Sequence, residues 1–403
     1  MEQKKKQTSW ILPRHRWIQW FAKGIIGPFC RWKAGVKVEP FKAQGERNYL
    51  VLMNHQTVYD QFFVGMAFRG PVYYLATEDV FSNGWISSLL RFAVNPIPIK
   101  KQTLDLKAVK TCLQVVREGG TLALAPEGNR TYSGRTEYMN PSIAKLARKM
   151  GLPIALFRIE EGYGIQPRWA EKTRKGKMRA AVARVIEPEE YRDMTDEALF
   201  GAIRRELMVD EARVTGQFRH RTLAEYLERA IYVCPNCGLA HFESNGDTFT
   251  CLDCGRKSRY LPSKELEGDF PFRFVAQWYD WQKAFINGLE LAPYADRPMY
   301  EDTARLSQVI VYKTKRVMWE QARVLLYGDR VVMENGQGES LLFPFAETDA
   351  VTVLGRNKLN VYHGGKIYQL KGGKRFNALK YVHIFHHWKN LNKGDGNGKF
   401  LGL

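Results

Sequence analysis

The stretch that decides the fold of the N-terminal half is YLVLMNHQTVYD, residues 49–60. Its first five residues form an uncharged, largely aliphatic run, which is typical of a buried strand. Polar residues follow at once, with Asn54 and His55 first and Asp60 at the end. A buried strand that runs directly into polar residues predicts a site at the carboxyl end of that strand.

Three further apolar runs extend this pattern to about residue 190. Between residues 106 and 116, apolar residues recur at helical spacing, and Gly119-Gly120 ends the pattern. Short apolar runs that alternate with helical segments predict an α/β domain. The four runs are residues 49–53, 72–76, 121–125 and 153–157.

His55 and Asp60 form the first candidate site. Residues five apart lie about 140° apart around an ideal helix, so a continuous helix would keep these two side chains from touching. They can meet if His55 lies on the turn after the strand and Asp60 lies in the first helical turn. Asp60 then accepts a hydrogen bond from one imidazole nitrogen and leaves the other as a base.

The run at residues 121–125 leads into PEGNRT, residues 126–131. A rigid proline, a carboxylate, a flexible glycine and an arginine within five residues are typical of a binding loop. Arg130 can hold a phosphate through two parallel hydrogen bonds, and Glu127 can hold a hydroxyl. Taken by itself, the segment has an alternative interpretation as a surface turn with a Glu–Arg pair. Together with His55, it predicts a base that acts on a phosphate-bearing alcohol.

Residues 48–190 resemble the 1-acylglycerol-3-phosphate acyltransferases (lysophosphatidic acid acyltransferases) and the wider glycerolipid acyltransferase superfamily. Four blocks are similar to those of the family and occur in the same order: NHQTVYD at 54–60, NPIPIKK at 95–101, PEGNRT at 126–131 and GLPIAL at 151–156. The second block has lysine where the family usually has arginine, and the third has asparagine in place of the usual threonine. The resemblance covers a little over a third of the chain.

The resemblance implies an O-acyltransferase in which His55 is the general base and Asp60 orients it. The implied donor is an acyl thioester, either acyl-CoA or acyl-carrier protein. The implied acceptor is a lysophospholipid, above all 1-acyl-sn-glycerol 3-phosphate, which would give phosphatidic acid. The residues implied in substrate binding are Lys100, Lys101, Glu127, Gly128 and Arg130. We also expect backbone N–H groups at the start of the adjacent helix to stabilise the oxyanion. The alternative is an acyltransferase for glycerol 3-phosphate or another lipid alcohol.

Four of the six cysteines form two Cys-x-x-Cys-Gly turns with 13 residues between them. The intervening Asn245-Gly246-Asp247 predicts a hairpin. Two such turns place four thiolates around one point, which is the donor set of structural Zn²⁺ sites. A fully ligated ion has no open position for chemistry, so the predicted role is structural. Two redox pairs or disulfides are the alternative. The predicted ligands are Cys234, Cys237, Cys251 and Cys254.

The 403 residues carry 61 Lys+Arg against 42 Asp+Glu, a net charge of +19 that indicates a polyanionic partner. Residues 1–37, 168–184 and 356–403 hold net charges of +8, +6 and +9. For any one of these windows, a solvated surface is the alternative. Hydrophobic residues make up 45% of the chain, which excludes disorder as its main state.

Residues 1–37 combine ten Trp, Ile and Phe residues with nine Lys/Arg, which is typical of an interfacial helix or a broken helical hairpin. Pro13, Gly24 and Pro28 favour the bent hairpin. No apolar stretch reaches the roughly 18 residues of a spanning helix, and residues 14–16 interrupt any signal-peptide core. We therefore expect a peripheral or monotopic protein on anionic membrane at the cytoplasmic face. A helix packed on its own domain is the alternative.

The C-terminal part predicts several strands with hairpin signals, followed by a helical pattern from Asn377 to Asn390. It resembles a pleckstrin-homology-type β-barrel closed by a helix. Its functional interpretation is a second membrane contact, and a packing or interaction domain is an equal alternative. The predicted domains are a membrane-association segment (1–37), an acyltransferase domain (38–215), a zinc ribbon (230–262), a helical linker (263–310) and a pleckstrin-homology-like domain (311–403).

A basic zinc-ribbon protein that binds nucleic acid is a remote alternative. Residues 232–262 contain three basic and three acidic residues. Nucleic-acid modules instead concentrate positive charge on the surface that contacts the polymer. We therefore expect no nucleic-acid partner.

Overall fold

The computed structural model describes residues 9–82, 84–99, 105–310, 314–393 and 401. The chain forms two compact units, each assembled from three segments. Unit 1 consists of Met1–Gly128, Met139–Glu160 and Lys177–Val209. Unit 2 consists of Asn129–Tyr138, Glu161–Gly176 and Asp210–Leu403. The segments of the two units therefore alternate along the chain.

Unit 1 is built on a seven-stranded mixed sheet. Its strands are β1 (Val36–Val38), β2 (Leu50–Met53), β3 (Val72–Thr77), β4 (Ile97–Ile99), β5 (Thr121–Leu124), β6 (Ile154–Glu160) and β7 (Met178–Ile186). They are arranged in the order β1-β7-β6-β2-β5-β3-β4. Strand β2 pairs in parallel with β5 on one side and with β6 on the other, so the carboxyl ends of these three strands meet at one edge. This confirms the predicted α/β fold class and its four apolar strands.

The α-helices of the described chain are α1 (Pro13–Ala34), α2 (Asp60–Ala67), α3 (Trp85–Ala93), α4 (Leu106–Arg117), α5 (Ser142–Met150), α6 (Gly162–Ile165), α7 (Pro188–Arg192), α8 (Asp196–Leu207), α9 (Val275–Asn287) and α10 (Leu379–Lys393). Helix α4 confirms the helix that the apolar spacing predicts between residues 106 and 116. The side chain of Asp105 caps it by accepting from the backbone N–H of Ala108 at 3.0 Å. Gly119 follows its end with a φ of 79°, a conformation that glycine adopts without strain.

The predicted break in the N-terminal segment is wrong, because α1 is one helix of 22 residues that continues through Gly24 and Pro28. A proline inside a helix removes a backbone hydrogen bond and costs about 3 kcal/mol. Packing offsets this cost. Cys30 is fully buried on one face of α1, and the buried Gly27 lies beside Met66 of α2.

The opposite face of α1 exposes large apolar side chains. They are Trp17, Trp20, Phe21, Ile25, Phe29 and Trp32. Lys23 is one of the nine Lys/Arg of the segment expected to bind anionic membrane, but its Nζ donates to the Phe68 carbonyl at 2.8 Å, and burial lowers its pKa. None of the helices in the described parts of the chain is both long enough and apolar enough to span a bilayer.

The third segment of unit 2 contains two small β-structures. Strands β8 (Val233–Cys234) and β9 (Gly238–Leu239) form a ladder, and β10 (Phe242–Asn245), β11 (Thr248–Cys251), β12 (Lys257–Tyr260) and β13 (Leu266–Gly268) form an antiparallel sheet. The predicted hairpin at Asn245-Gly246-Asp247 joins β10 to β11. Its aromatic residues pack against α9, since the Phe249 and Trp278 rings lie 5.6 Å apart.

The C-terminal part of unit 2 is a curled antiparallel sheet with a helix against it. The strands are β14 (Tyr300–Val309), β15 (Arg316–Leu326), β16 (Arg330–Asn335), β17 (Ser340–Pro344), β18 (Thr348–Leu354), β19 (Lys358–His363) and β20 (Lys366–Gly372). Their order is β17-β16-β15-β14-β20-β19-β18. Asn377 caps α10 by accepting from the Leu379 N–H at 2.8 Å. The predicted β domain with a C-terminal helix is therefore confirmed.

The structure differs from that prediction in two details. Strand β14 begins at Tyr300, inside the stretch expected to be a helical linker, because its residues pair with both β15 and β20. Among the described residues, no ladder joins the outer strands β17 and β18, so the expected barrel is an open sheet.

Candidate active site

The carboxyl end of β2 is held to its neighbour by Asn54, which is fully buried. Its Nδ2 donates to the Ile159 carbonyl at 2.8 Å, and its Oδ1 accepts from the Ile159 N–H at 2.7 Å. Both polar ends of the amide are therefore used on one residue of β6. This double contact fixes the point at which the chain leaves the sheet and turns towards α2.

His55 and Asp60 meet as the sequence predicts. His55 Nδ1 lies 2.7 Å from Asp60 Oδ2. Asp60 is fully buried at the first position of α2, where the positive end of the helix dipole favours a carboxylate. The imidazole is 25% exposed. An ionised carboxylate only accepts, so the proton of neutral His55 lies on Nδ1 and the lone pair lies on Nε2.

Asp60 also organises the loop between β2 and α2. Its Oδ2 accepts from the backbone N–H of Gln56 at 2.6 Å, and its Oδ1 accepts from the Thr57 hydroxyl at 2.6 Å. The Thr57 N–H points at the same carboxylate, 3.0 Å from each oxygen. One buried carboxylate therefore fixes both the imidazole and the backbone that carries it. Its hydrogen bonds are charge-assisted, which makes them stronger than hydrogen bonds between neutral groups.

Glu127 approaches the same loop from β5. Its Oε1 accepts from the backbone N–H of His55 at 3.0 Å, and the side chain is largely buried. Gly128 follows with a φ of 66°, and its N–H donates to the Ala125 carbonyl at 2.9 Å. Two neighbouring parallel strands thus bring His55, Asp60 and Glu127 together. Glu127 holds the backbone of His55, a contact that the sequence did not predict.

Four backbone N–H groups of the loop before α2 are already used inside unit 1, so these four do not form the expected oxyanion hole. The N–H groups of His55, Gln56, Thr57 and Tyr59 all donate to acceptors inside unit 1. Tyr59 donates to the Thr57 hydroxyl at 3.0 Å. These N–H groups are used because the loop wraps around Asp60, which the spacing of His55 and Asp60 alone did not reveal.

Arg130, the predicted phosphate ligand, lies in unit 2 together with Asn129. Both residues are mostly buried. Arg168 Nη1 donates to the Arg130 carbonyl at 3.0 Å, and its Nη2 donates to Asn129 Oδ1 at 3.2 Å. Its Nε donates to the Gly355 carbonyl at 3.3 Å. Arg168 therefore ties this segment to the turn after β18.

Sequence reasoning missed this role, because Arg168 belongs to the 168–184 window that was interpreted as a surface patch. Arg168 and Arg174 are both buried, and Arg174 donates to the Leu223 carbonyl. A count of charges does not distinguish an arginine in water from one that binds backbone carbonyls. The other two predicted substrate-binding residues, Lys100 and Lys101, lie outside the described residues.

The part of the chain that contains His55, Asp60 and Glu127 matches a known protein family. Residues 36–159 match the model of the family described as "Acyltransferase". This segment is therefore an acyltransferase domain. The domain includes β2, the His55–Asp60 pair and Glu127, so the resemblance inferred from the four sequence blocks is confirmed.

The relatives of the acyltransferase domain are distant. The chain is 24% identical over 101 residues to a 1-acyl-sn-glycerol-3-phosphate acyltransferase of Bacillus subtilis (strain 168). This match covers 25% of the chain and 50% of the relative, so the chain spans about half the length of this relative.

Two solved structures are also similar. One is the crystal structure of the 1-acyl-sn-glycerophosphate (LPA) acyltransferase PlsC from Thermotoga maritima, with 18% identity, a TM-score of 0.42 and coverage of 48% of this chain and 78% of that one. The other is the solution structure of the N-terminal PH domain of human ARAP2, with 16% identity, a TM-score of 0.19 and coverage of 24% and 84%. Both TM-scores are low, so the fold described above rests on the strands themselves.

The four predicted cysteines cluster outside the acyltransferase domain, in unit 2. The sulfurs of Cys234, Cys237, Cys251 and Cys254 all lie within 4.8 Å of one another. The Cys234 and Cys254 sulfurs are 3.8 Å apart, which matches the edge of about 3.8 Å in a tetrahedron with Zn–S bonds of about 2.3 Å. The four sulfurs could therefore hold a metal ion, and four thiolates at this spacing are the donor set of structural zinc sites.

The surroundings of the sulfurs differ, because burial raises the pKa of the Cys251 thiol to about 12 whereas Cys254 is placed to form a thiolate. The backbone N–H of Arg256 lowers the pKa of the Cys254 thiol to about 7. The Asn236 N–H donates to Cys234 Sγ at 3.4 Å. His241 is not a member of this cluster among the described residues, and its Nδ1 lies 3.6 Å from Asp253 Oδ1.

Proposed function

We propose that the protein transfers an acyl chain from an acyl thioester to the free hydroxyl of a lysophospholipid at a membrane surface. The observation that carries this proposal is the 2.7 Å contact between His55 Nδ1 and the buried carboxylate of Asp60. It leaves Nε2 as a base at the partly exposed end of an acyltransferase-domain strand. The donor is acyl-CoA or acyl-carrier protein.

In the proposed reaction, His55 Nε2 takes the proton of the acceptor hydroxyl. The oxygen forms a bond to the thioester carbonyl carbon, and a tetrahedral oxyanion results. The C–S bond then breaks, and the leaving thiolate takes the proton from the imidazolium. Asp60 keeps the imidazole in the productive tautomer and stabilises its charged form. No covalent acyl-enzyme and no metal ion are required in these steps.

The acceptor favoured by the sequence blocks is 1-acyl-sn-glycerol 3-phosphate, with phosphatidic acid as the product. Glycerol 3-phosphate or another lipid alcohol is the alternative. The direct test measures ester formation by the purified protein. Several lysolipids and glycerol 3-phosphate are supplied as acceptors, and acyl-CoA and acyl-carrier protein are supplied as donors. Ester formation with lysolipid acceptors supports the proposal, and thioester consumption without any lipid ester contradicts it.

Arg130 is proposed to bind the acceptor phosphate. Loss of a charge-assisted bond typically costs about 1.5–3 kcal/mol, so Arg130→Ala should raise the acceptor KM by about 10- to 100-fold and leave the donor KM nearly unchanged. Arg130→Lys should recover only part of this loss, since lysine lacks the planar fork. Initial-rate kinetics with each substrate varied measure both values.

The matched control for this variant is Arg135→Ala. Arg135 belongs to the same segment, and its Nε donates to Asp210 Oδ2 at 2.9 Å. It should leave the acceptor KM unchanged. If Arg130→Ala changes the donor KM alone, the guanidinium binds the donor and the acceptor assignment is wrong.

Membrane binding is proposed to use the exposed face of α1. Trp17, Ile25 and Trp32 are 66%, 73% and 78% exposed, and each large apolar side chain that leaves water contributes about 1.5–3 kcal/mol. The triple Ser variant should therefore lose at least about tenfold in partitioning to anionic vesicles. Sedimentation with vesicles measures the effect, and unchanged binding would exclude α1 as the anchor. The expected location is the cytoplasmic face of the membrane, as a peripheral or monotopic protein.

A further inference from the structure

Helix α3 exposes large apolar side chains and buries a polar one. Its exposed apolar residues are Trp85, Ile86, Leu89, Leu90 and Phe92, with Trp85 75% exposed. The buried residue of the helix is Ser87, whose hydroxyl donates to the Val80 carbonyl at 2.7 Å. A helix that packs on a protein core in water shows the reverse arrangement. Contiguous exposed apolar surface of this kind marks a contact surface.

This surface is continuous with the exposed face of α1. Arg14 Nε donates to the Phe92 carbonyl at 3.1 Å, and its guanidinium lies 4.4 Å from the centre of the Phe92 ring. Just before α1, Trp10 Nε1 donates to the Asn95 carbonyl at 3.0 Å. The start of α1 is therefore fixed against the end of α3, although more than 70 residues separate the two helices at this contact.

The other end of α1 reaches the loop of the candidate active site. The rings of Phe29 and Tyr59 lie 6.4 Å apart, and Tyr59 directly precedes Asp60. Val58 and Phe62, on either side of Tyr59, are exposed. An exposed apolar face thus extends from α3 along α1 to the loop that carries His55.

We propose that α3 is a second membrane-contact helix, which enters the headgroup region of an anionic bilayer together with α1. The charge of the surface favours this occupant, because α1 and α3 contain no Asp or Glu and carry the exposed cations Arg16, Arg31, Lys33 and Arg91. A bilayer presents acyl chains beneath anionic phosphates, which matches apolar residues flanked by cations. The inference deepens the membrane partner of the proposed function and rests on it.

The test uses the full chain with Trp85, Ile86 and Leu89 replaced by Ser. Partitioning to vesicles with 30% anionic lipid is measured at several salt concentrations, without donor or acceptor. We expect at least about a tenfold loss relative to the wild type, and residual binding that is more sensitive to salt. The matched control replaces Met208, Val214 and Leu342, which are 56%, 49% and 48% exposed, and should bind as the wild type does.

Two outcomes overturn the inference. If the α3 variant partitions as the wild type does while the α1 variant loses binding, α1 alone is the anchor and the membrane part of the proposed function stands. If neither variant loses binding, that membrane part fails as well. A further measurement is the mass in solution by light scattering. A wild-type dimer that the α3 substitutions convert to a monomer, with vesicle binding unchanged, would assign α3 to a second copy of the chain.

Discussion

The variant His55→Ala is expected to lose acyl transfer by about 100- to 10,000-fold, the usual contribution of a general base. The alcohol then has no group to accept its proton. The fold should survive, since the imidazole is partly exposed and its described side-chain hydrogen bond goes to Asp60. The measurements are the rate of ester formation with saturating substrates and the melting temperature.

The matched control is His241→Ala, which removes another histidine that lies near a carboxylate. It should keep the wild-type rate. If His55→Ala retains more than about a tenth of the activity, His55 is not the base. Asp60→Asn does not test the imidazole contact alone, because the carboxylate also accepts hydrogen bonds from Gln56 and Thr57. It should lower the melting temperature as well as the rate.

The second large effect is expected from Cys251→Ser. Cys251 is fully buried at the end of β11, and structural zinc sites contribute about 10–16 kcal/mol of binding free energy to folding. Phe242 and Phe249 of the same hairpin stack at 4.7 Å and pack against Trp278 of α9. Loss of the ion should therefore loosen more than the two cysteine turns.

We expect Cys251→Ser to lose stoichiometric zinc and to lower the melting temperature by at least about 10 °C. Metal analysis and calorimetry measure these quantities. Cys30→Ala is the control, since Cys30 is a buried thiol outside the cluster and its pKa is raised to about 11 by burial. It should retain one zinc ion per chain. A Cys251 variant that keeps its zinc and melts like the wild type would contradict the assignment.

The His55–Asp60 contact could be predicted from sequence because it is local. Both residues belong to one strand-to-helix turn, and that turn has few conformations that bring a histidine to an aspartate five residues later. The cysteine cluster was predictable for the same reason, since each Cys-x-x-Cys turn is a local structure. The Glu127 contact with the His55 backbone needed the pairing of β2 with β5, which local spacing does not contain.

The exposed face of α3 and the burial of Arg168 could not be predicted. Trp85 and Leu89 are large apolar residues on either side of Ser87 and Ser88, and such residues are expected to be buried unless the neighbouring elements are known. Arg168 lies in a basic stretch, and only the tertiary structure shows that its donors go to the Arg130 and Gly355 carbonyls. The continuity of α1 through Pro28 likewise depends on packing against α2.

The alternation of the two units along the chain has a consequence for synthesis. The polypeptide passes between the units five times, so the segment Asn129–Tyr138 leaves the ribosome long before most of unit 2 exists. At roughly 5–20 residues per second, the rest of the chain takes on the order of 10–50 s to follow. During that interval the turn at Gly355, which Arg168 links to Arg130, has not yet been synthesised. A nascent chain arrested after β7 would therefore carry its His55–Asp60 turn and Glu127 while Asn129 and Arg130 still lacked the C-terminal turn that Arg168 binds.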